Sequence, residues 1–177
     1  SSPCEITGLT NGTEYTYTVV ATNSEGDSVA SAPATATPRT IAGAPTDVVV
    51  TPGNESISVA FVAPVDDGGS PVTGYTVTGS PDGIDVDCAS SPCAITGLTN
   101  GIEYTLSVVA TNAAGDSASF APATSTPRTM PGTVVVTDAT PDDGVAVVSF
   151  DAPADGGASI IDYTVMAAPG GNRHVLE

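Results

Sequence analysis

Over residues 103–112 apolar and polar positions alternate. Tyr104, Leu106, Val108 and Ala110 fall on one face, and Thr105, Ser107, Val109 and Thr111 on the other. Successive strand side chains point to opposite sides, so this period of two predicts a half-buried strand with the Tyr104 face inward. Residues 56–63 read the same way, with Ile57, Val59, Phe61 and Ala63 inward and Pro64 closing the run. Residues 46–51 form a valine-rich first strand, followed by turn chemistry at Pro52-Gly53-Asn54. Residues 72–79 put Tyr75 and Val77 on one face, and residues 84–88 and 93–96 are two short strands. Residues 117–126 make a last, irregular strand in which Pro122 marks an edge position, since proline cannot donate to a ladder. Seven short strands broken by regular turns predict an all-β sandwich. No segment carries a helical period.

The pattern is copied along the chain. CAITGLTNGIEYTLSVVATN, residues 93–112, recurs as CEITGLTNGTEYTYTVVATN over residues 4–23. Cys4 and Cys93, Tyr15 and Tyr104, Arg39 and Arg128, and Phe61 and Phe150 all stand 89 positions apart, and Tyr75 and Tyr163 stand 88 apart. A period of about 90 residues suits a string of small domains rather than a solenoid. The predicted division is the C-terminal half of one module at 1–40, a complete module at 41–129, and the N-terminal half of a third at 130–177. The TPRT segments at 37–40 and 126–129 are the linkers, and Arg39 and Arg128 hold the same linker position. Each arginine is expected either to pair with acidic loops of the adjoining module or to stand solvated.

Composition narrows the partners. Of 177 residues, 19 are glycine and 15 proline, which suits short strands and many turns. Three arginines face 20 acidic residues, for a net charge of −17. Binding nucleic acid or anionic lipid needs clustered cations, so both are excluded as partners. No apolar run reaches the length of about 18 residues that a membrane span requires.

Residues 41–129 resemble a fibronectin type III domain of the kind found in bacterial extracellular proteins. The resemblance lies in the strand after Ala44-Pro45, in Phe61 followed by Ala63-Pro64, and in Gly74-Tyr75-Thr76-Val77. It continues through Gly97-Leu98-Thr99-Asn100-Gly101 leading to Tyr104, and the V-x-A-x-N run of Val108, Ala110 and Asn112. It implies tandem fibronectin type III (immunoglobulin-like) β-sandwiches, one complete and two half modules. It also implies a structural tyrosine corner at Leu98 and Tyr104, repeated at Leu9 and Tyr15, whose phenol bonds to nearby backbone. The family's usual strand-B tryptophan is replaced by Phe61 and Phe150.

Cys88 and Cys93 flank a four-residue turn. They read as a hairpin disulfide, as a secreted module would carry; the alternative is two buried thiols. By the repeat, the partner of Cys4 falls just ahead of Ser1. Three cysteines and one distant histidine, His174 in the terminal stretch 172–177, do not make a zinc site, which needs about four ligands. The acidic turns at 66–69, 142–144 and 155–157 lack the spaced calcium-loop pattern and read as plain turns before calcium sites. Asn11-Gly12-Thr13 and Asn54-Glu55-Ser56 match the glycosylation triplet. No nucleophile stands beside a histidine, so no catalytic residue, cofactor site or metal site is assigned.

The expected role is a non-catalytic extracellular or cell-surface spacer, part of an array, adhesin or filament. The alternatives are a polysaccharide- or protein-binding module and an accessory region of a secreted polysaccharide-degrading enzyme. The expected partners are neighbouring modules of the same protein. Head-to-tail copies of the chain are also expected partners, since residues 130–177 supply the strands that residues 1–40 lack. Of the two explanations of the half modules, a piece of a longer array is favoured over head-to-tail assembly.

Overall fold

The computed structural model describes residues 2–169 and 171–176, and among them all regular structure is β. The first four strands are short: β1 (Tyr15–Tyr17), β2 (Thr22–Asn23), β3 (Gly26–Asp27) and β4 (Ala34–Ala36). Eight follow: β5 (Thr46–Gly53), β6 (Ser56–Val62), β7 (Gly74–Ser80), β8 (Ile84–Cys88), β9 (Cys93–Thr96), β10 (Tyr104–Asn112), β11 (Gly115–Asp116) and β12 (Ala123–Ser125). The last four are β13 (Val135–Asp142), β14 (Val145–Asp151), β15 (Tyr163–Ala167) and β16 (Asn172–Leu176).

Strands β5 to β12 make an immunoglobulin-like β-sandwich. One sheet runs β5-β6-β9; the other runs β11-β10-β7-β8, with β12 also pairing β10. β1 pairs β4 and β2 pairs β3, while β13 pairs β14 and β15 pairs β16. The alternation predicted for residues 103–112 is realised in full: Tyr104, Leu106, Val108 and Ala110 are buried. Ile57, Val59 and Phe61 on β6 and Tyr75 and Val77 on β7 are buried as well.

Three local expectations differ. β5 runs on through Pro52 and Gly53, so the turn moves to Asn54-Glu55, where Glu55 takes φ 51°. β6 stops at Val62, so Ala63 leaves the inward register and is exposed. The last strand is interrupted: β11 and β12 bracket an irregular stretch in which Ser117 and Phe120 donate N–H to Ala110 O and Val108 O. His174 lies on β16, opposite Val165.

The chain falls into two compact units. One comprises Ser1–Val49, Ala60–Cys93 and Leu106–Ala123. Within it the Phe61 and Tyr75 rings sit 4.6 Å apart at a tilt of 52°. β7 and β8 pair so that Tyr75 faces Cys88 and Val77 faces Val86. The other unit comprises Val50–Val59, Ala94–Thr105 and Thr124–Glu177. There the Phe150 and Tyr163 rings repeat the aromatic pair at 4.9 Å and 47°.

Candidate functional site

The sequence singled out two tyrosines, two cysteines and two linker arginines. Tyr104 is fully buried, and its phenol oxygen accepts the Thr99 N–H at 3.1 Å. Tyr15 holds the same geometry, accepting the Thr10 N–H at 3.0 Å. That bond favours the phenolate, so the Tyr15 hydroxyl is held below its ordinary pKa. Leu98 is buried, and Leu9 is partly exposed. Cys88 and Cys93 are disulfide-bonded with Cα atoms 5.8 Å apart, within the ordinary range for such a bridge, but they close no hairpin: β8 pairs β7 and β9 pairs β6, so the bridge ties strands of two different sheets. Inside their loop, Ser91 Oγ accepts the Phe61 N–H at 2.9 Å, so the bridge also fixes a partner for the end of β6. Cys4 is an exposed thiol.

Both linker arginines are exposed. At Arg128 the main chain makes the tie: its N–H donates to Gly53 O at 2.9 Å. Around these arginines lies a cluster that residue-by-residue reading passed over. In the first unit Gly12 N–H donates to Pro38 O at 2.9 Å, Thr40 N–H to Gly68 O at 2.9 Å, and Gly43 N–H to Asp66 O at 2.8 Å. In the second unit Gly101 N–H donates to Pro127 O at 2.9 Å, Thr129 N–H to Gly156 O at 2.8 Å, and Gly132 N–H to Ala154 O at 2.9 Å. These are the same three bonds, displaced by one repeat. Each linker is therefore hydrogen-bonded to the turn before it and to the turn after it. We call this arrangement the joint.

Side chains complete the first joint. Asn112 is buried, and its Nδ2 donates to Thr40 O at 2.9 Å and Asp67 O at 2.7 Å. Its Oδ1 accepts the Ala114 N–H at 2.8 Å. The V-x-A-x-N asparagine is thus a clasp between linker and turn. The acidic turns are closed on themselves: Asp66 Oδ1 accepts Gly68 N–H at 2.9 Å, and Asp67 Oδ1 accepts Gly69 N–H at 2.8 Å. Asp155 Oδ1 accepts Gly157 N–H at 2.9 Å in the second joint. These carboxylates hold their own turns, as aspartates at turns commonly do. Among the described residues no three His, Cys, Asp or Glu side chains converge as a metal site would require. Among the described residues no helix is long and apolar enough to cross a membrane.

The signal for the joint was present in the sequence. Gly68-Gly69 recurs as Gly156-Gly157, and Asn11-Gly12 as Asn100-Gly101, at the repeat spacing. What the sequence did not show was that the two motifs meet.

Residues 43–126 match the family model described as the fibronectin type III domain. Among solved structures, domains A168-A170 from titin are similar at 22% identity and a TM-score of 0.53, over 67% of this chain and 42% of that one. A structure of titin kinase and its flanking domains is similar at 21% identity and a TM-score of 0.45, over 50% of this chain and 17% of that one. The FN5 domain of Drosophila Lar is similar at 23% identity and a TM-score of 0.43, over 49% of this chain and 97% of that domain. The chain spans less than half the length of the two titin structures it matches. At this identity the A168-A170 likeness speaks to the fold.

Proposed function

Taking residues 43–126 as a fibronectin type III domain, a structural and binding module that is generally non-catalytic, we propose that the chain is a non-catalytic spacer array of the extracellular or cell-surface type. Its modules divide at 1–40, 41–129 and 130–177. The observation that carries this reading is the joint: the same three main-chain bonds recur at both linkers. A part whose task is to set distance works with greater regularity when each step from one repeat to the next is fixed. Phe61, Tyr75 and Tyr104 are buried, so these three rings offer no platform for a carbohydrate. The Cys88–Cys93 disulfide suits an oxidising compartment.

The test is a series of chains carrying one, two and three added copies of residues 41–129, measured by small-angle X-ray scattering. For a spacer the maximum dimension grows with every copy. Copies that fold back on one another, leaving the dimension unchanged, refute the reading. Alkylation of the protein from its natural source checks the compartment: free thiols at Cys88 and Cys93 would remove it from the cell exterior.

A further inference from the structure

We infer that the two faces of the joint are a matched interface between consecutive repeats, in which the glycine pair of one repeat is the recognition element for the Asn-Gly turn of the repeat before it. This rests on the array reading and names the partner: the following repeat of the same chain, engaged through its main chain.

Two successive glycines stand at each joint, at 68–69 and at 156–157. A turn with left-handed backbone wants glycine, but asparagine also tolerates that conformation. At Gly83 and Gly144, with φ 61° and 69°, an added Cβ would meet nothing within 4 Å. Those are ordinary turns, and conformation is their only demand. Gly68 and Gly69, with φ 71° and 79°, carry a second demand. A Cβ on Gly68 would lie 2.6 Å from Ile41 O and would also strike the O of Thr40, the last residue of the linker. A Cβ on Gly69 would lie 2.6 Å from Asn11 C and would strike Gly12 N. The second joint repeats this: a Cβ on Gly156 would lie 2.5 Å from Thr129 O, and one on Gly157 2.8 Å from Asn100 C. The obstructing atoms are main chain and cannot swing aside. Any side chain at these positions separates the repeats.

The bonds across the joint join neutral amides and carbonyls. They are therefore little weakened by salt, in contrast to the exposed carboxylates that give the chain its −17 charge. Of the six bonds named above, the two that cross from one repeat to the next, Thr40 N–H to Gly68 O and Thr129 N–H to Gly156 O, involve no ion pair.

The experiment is residue-resolved amide hydrogen exchange by NMR on the whole 177-residue chain, at low and high salt. The Thr40, Gly43, Thr129 and Gly132 amides are expected to be protected at both. In G157A, Thr129 and Gly132 exchange at least tenfold faster while Thr40 and Gly43 keep their rates. In G144A, which places the same methyl at an open left-handed turn, all four keep their rates. Unprotected Thr129 and Gly132 amides in the parent chain overturn the inference, as do equal effects of G157A and G144A. Should G157A fail to fold, insertion of Gly-Ser-Gly between Arg128 and Thr129 leaves both turns intact. It is expected to speed the same two amides tenfold, and unchanged protection overturns the proposal. A spacer with loose joints would still lengthen copy by copy in the scattering series, so the two readings fail separately.

Discussion

Asn112→Asp changes one nitrogen to oxygen in the middle of the first joint. Asn112 is 5% exposed, and its Nδ2 donates to Thr40 O and Asp67 O while Oδ1 accepts from Ala114. Nδ2 also makes a long 3.5 Å bond to Ser70 O, which adds little; at a net worth of about 1 kcal/mol for each of the three shorter bonds, Asn112→Ala costs about 3 kcal/mol. Asn112→Asp keeps the Ala114 bond and loses the other two, about 2 kcal/mol. It then faces a buried carboxylate oxygen with two carbonyl oxygens. Both burial and those dipoles disfavour the anion, so the folded-state pKa of the new carboxyl rises above its unfolded value of about 3.9. Each unit of that rise adds about 1.4 kcal/mol of destabilisation at neutral pH.

The sign follows from proton counts. Between the unfolded and the raised folded pKa the native variant holds more protons than the unfolded chain, so its stability falls as pH increases through that window. At pH 3 the protonated acid can donate again, and the loss shrinks to about 2 kcal/mol or less. At pH 7 N112D is therefore expected to be less stable than N112A, and at pH 3 more stable. The assay is urea unfolding at several pH values, followed by tyrosine fluorescence because the chain has no tryptophan. An N112D curve that parallels N112A within about 0.5 kcal/mol from pH 3 to 7 would refute the clasp.

Other perturbations separate the remaining contributions. Tyr104→Phe keeps the buried ring but takes the acceptor from Thr99 N–H, for an expected loss of about 1 kcal/mol in urea unfolding. Reducing Cys88–Cys93, checked by mass, frees a closed loop of sequence separation 5 and is expected to lower stability by about 2 kcal/mol on chain-entropy grounds; an unchanged midpoint would mean that the turn holds itself. Arg128→Ala is expected to stay within about 0.5 kcal/mol of the parent and to leave the Thr129 amide protected, because the tie at that position is the N–H to Gly53. Loss of that protection would show that the guanidinium carries the joint after all.

The core was legible because it is periodic. β6, β7 and β10 each bury alternate residues, and the exchange of faces could be counted along the chain. Local punctuation was harder. Proline and glycine at 52–53 look like a turn, yet β5 carries through them and bends two residues later at Glu55. Ala63 continued the alternation on paper, but β6 had already ended at Val62. The candidate site was least legible, because its parts are far apart in sequence. Asn112 clasps residues 72 and 45 positions away, and nothing in the residues flanking it says so. The aspartates at 66, 67 and 155 read as plain turns before calcium sites, but that reading did not say what the turns are for. Their carboxylates fold the turns that bring the glycines into place.

A joint written in main-chain atoms has a genetic consequence. Interfaces built from matched side chains must co-vary, so duplicating one partner strands it beside a neighbour it does not fit. Here each copied unit brings its own Asn-Gly turn, linker and glycine pair, and so arrives already compatible with whatever unit lies on either side. The gene can lengthen or shorten by whole units through recombination between copies. Exposed positions remain free to drift, as they have between Thr13 and Ile102.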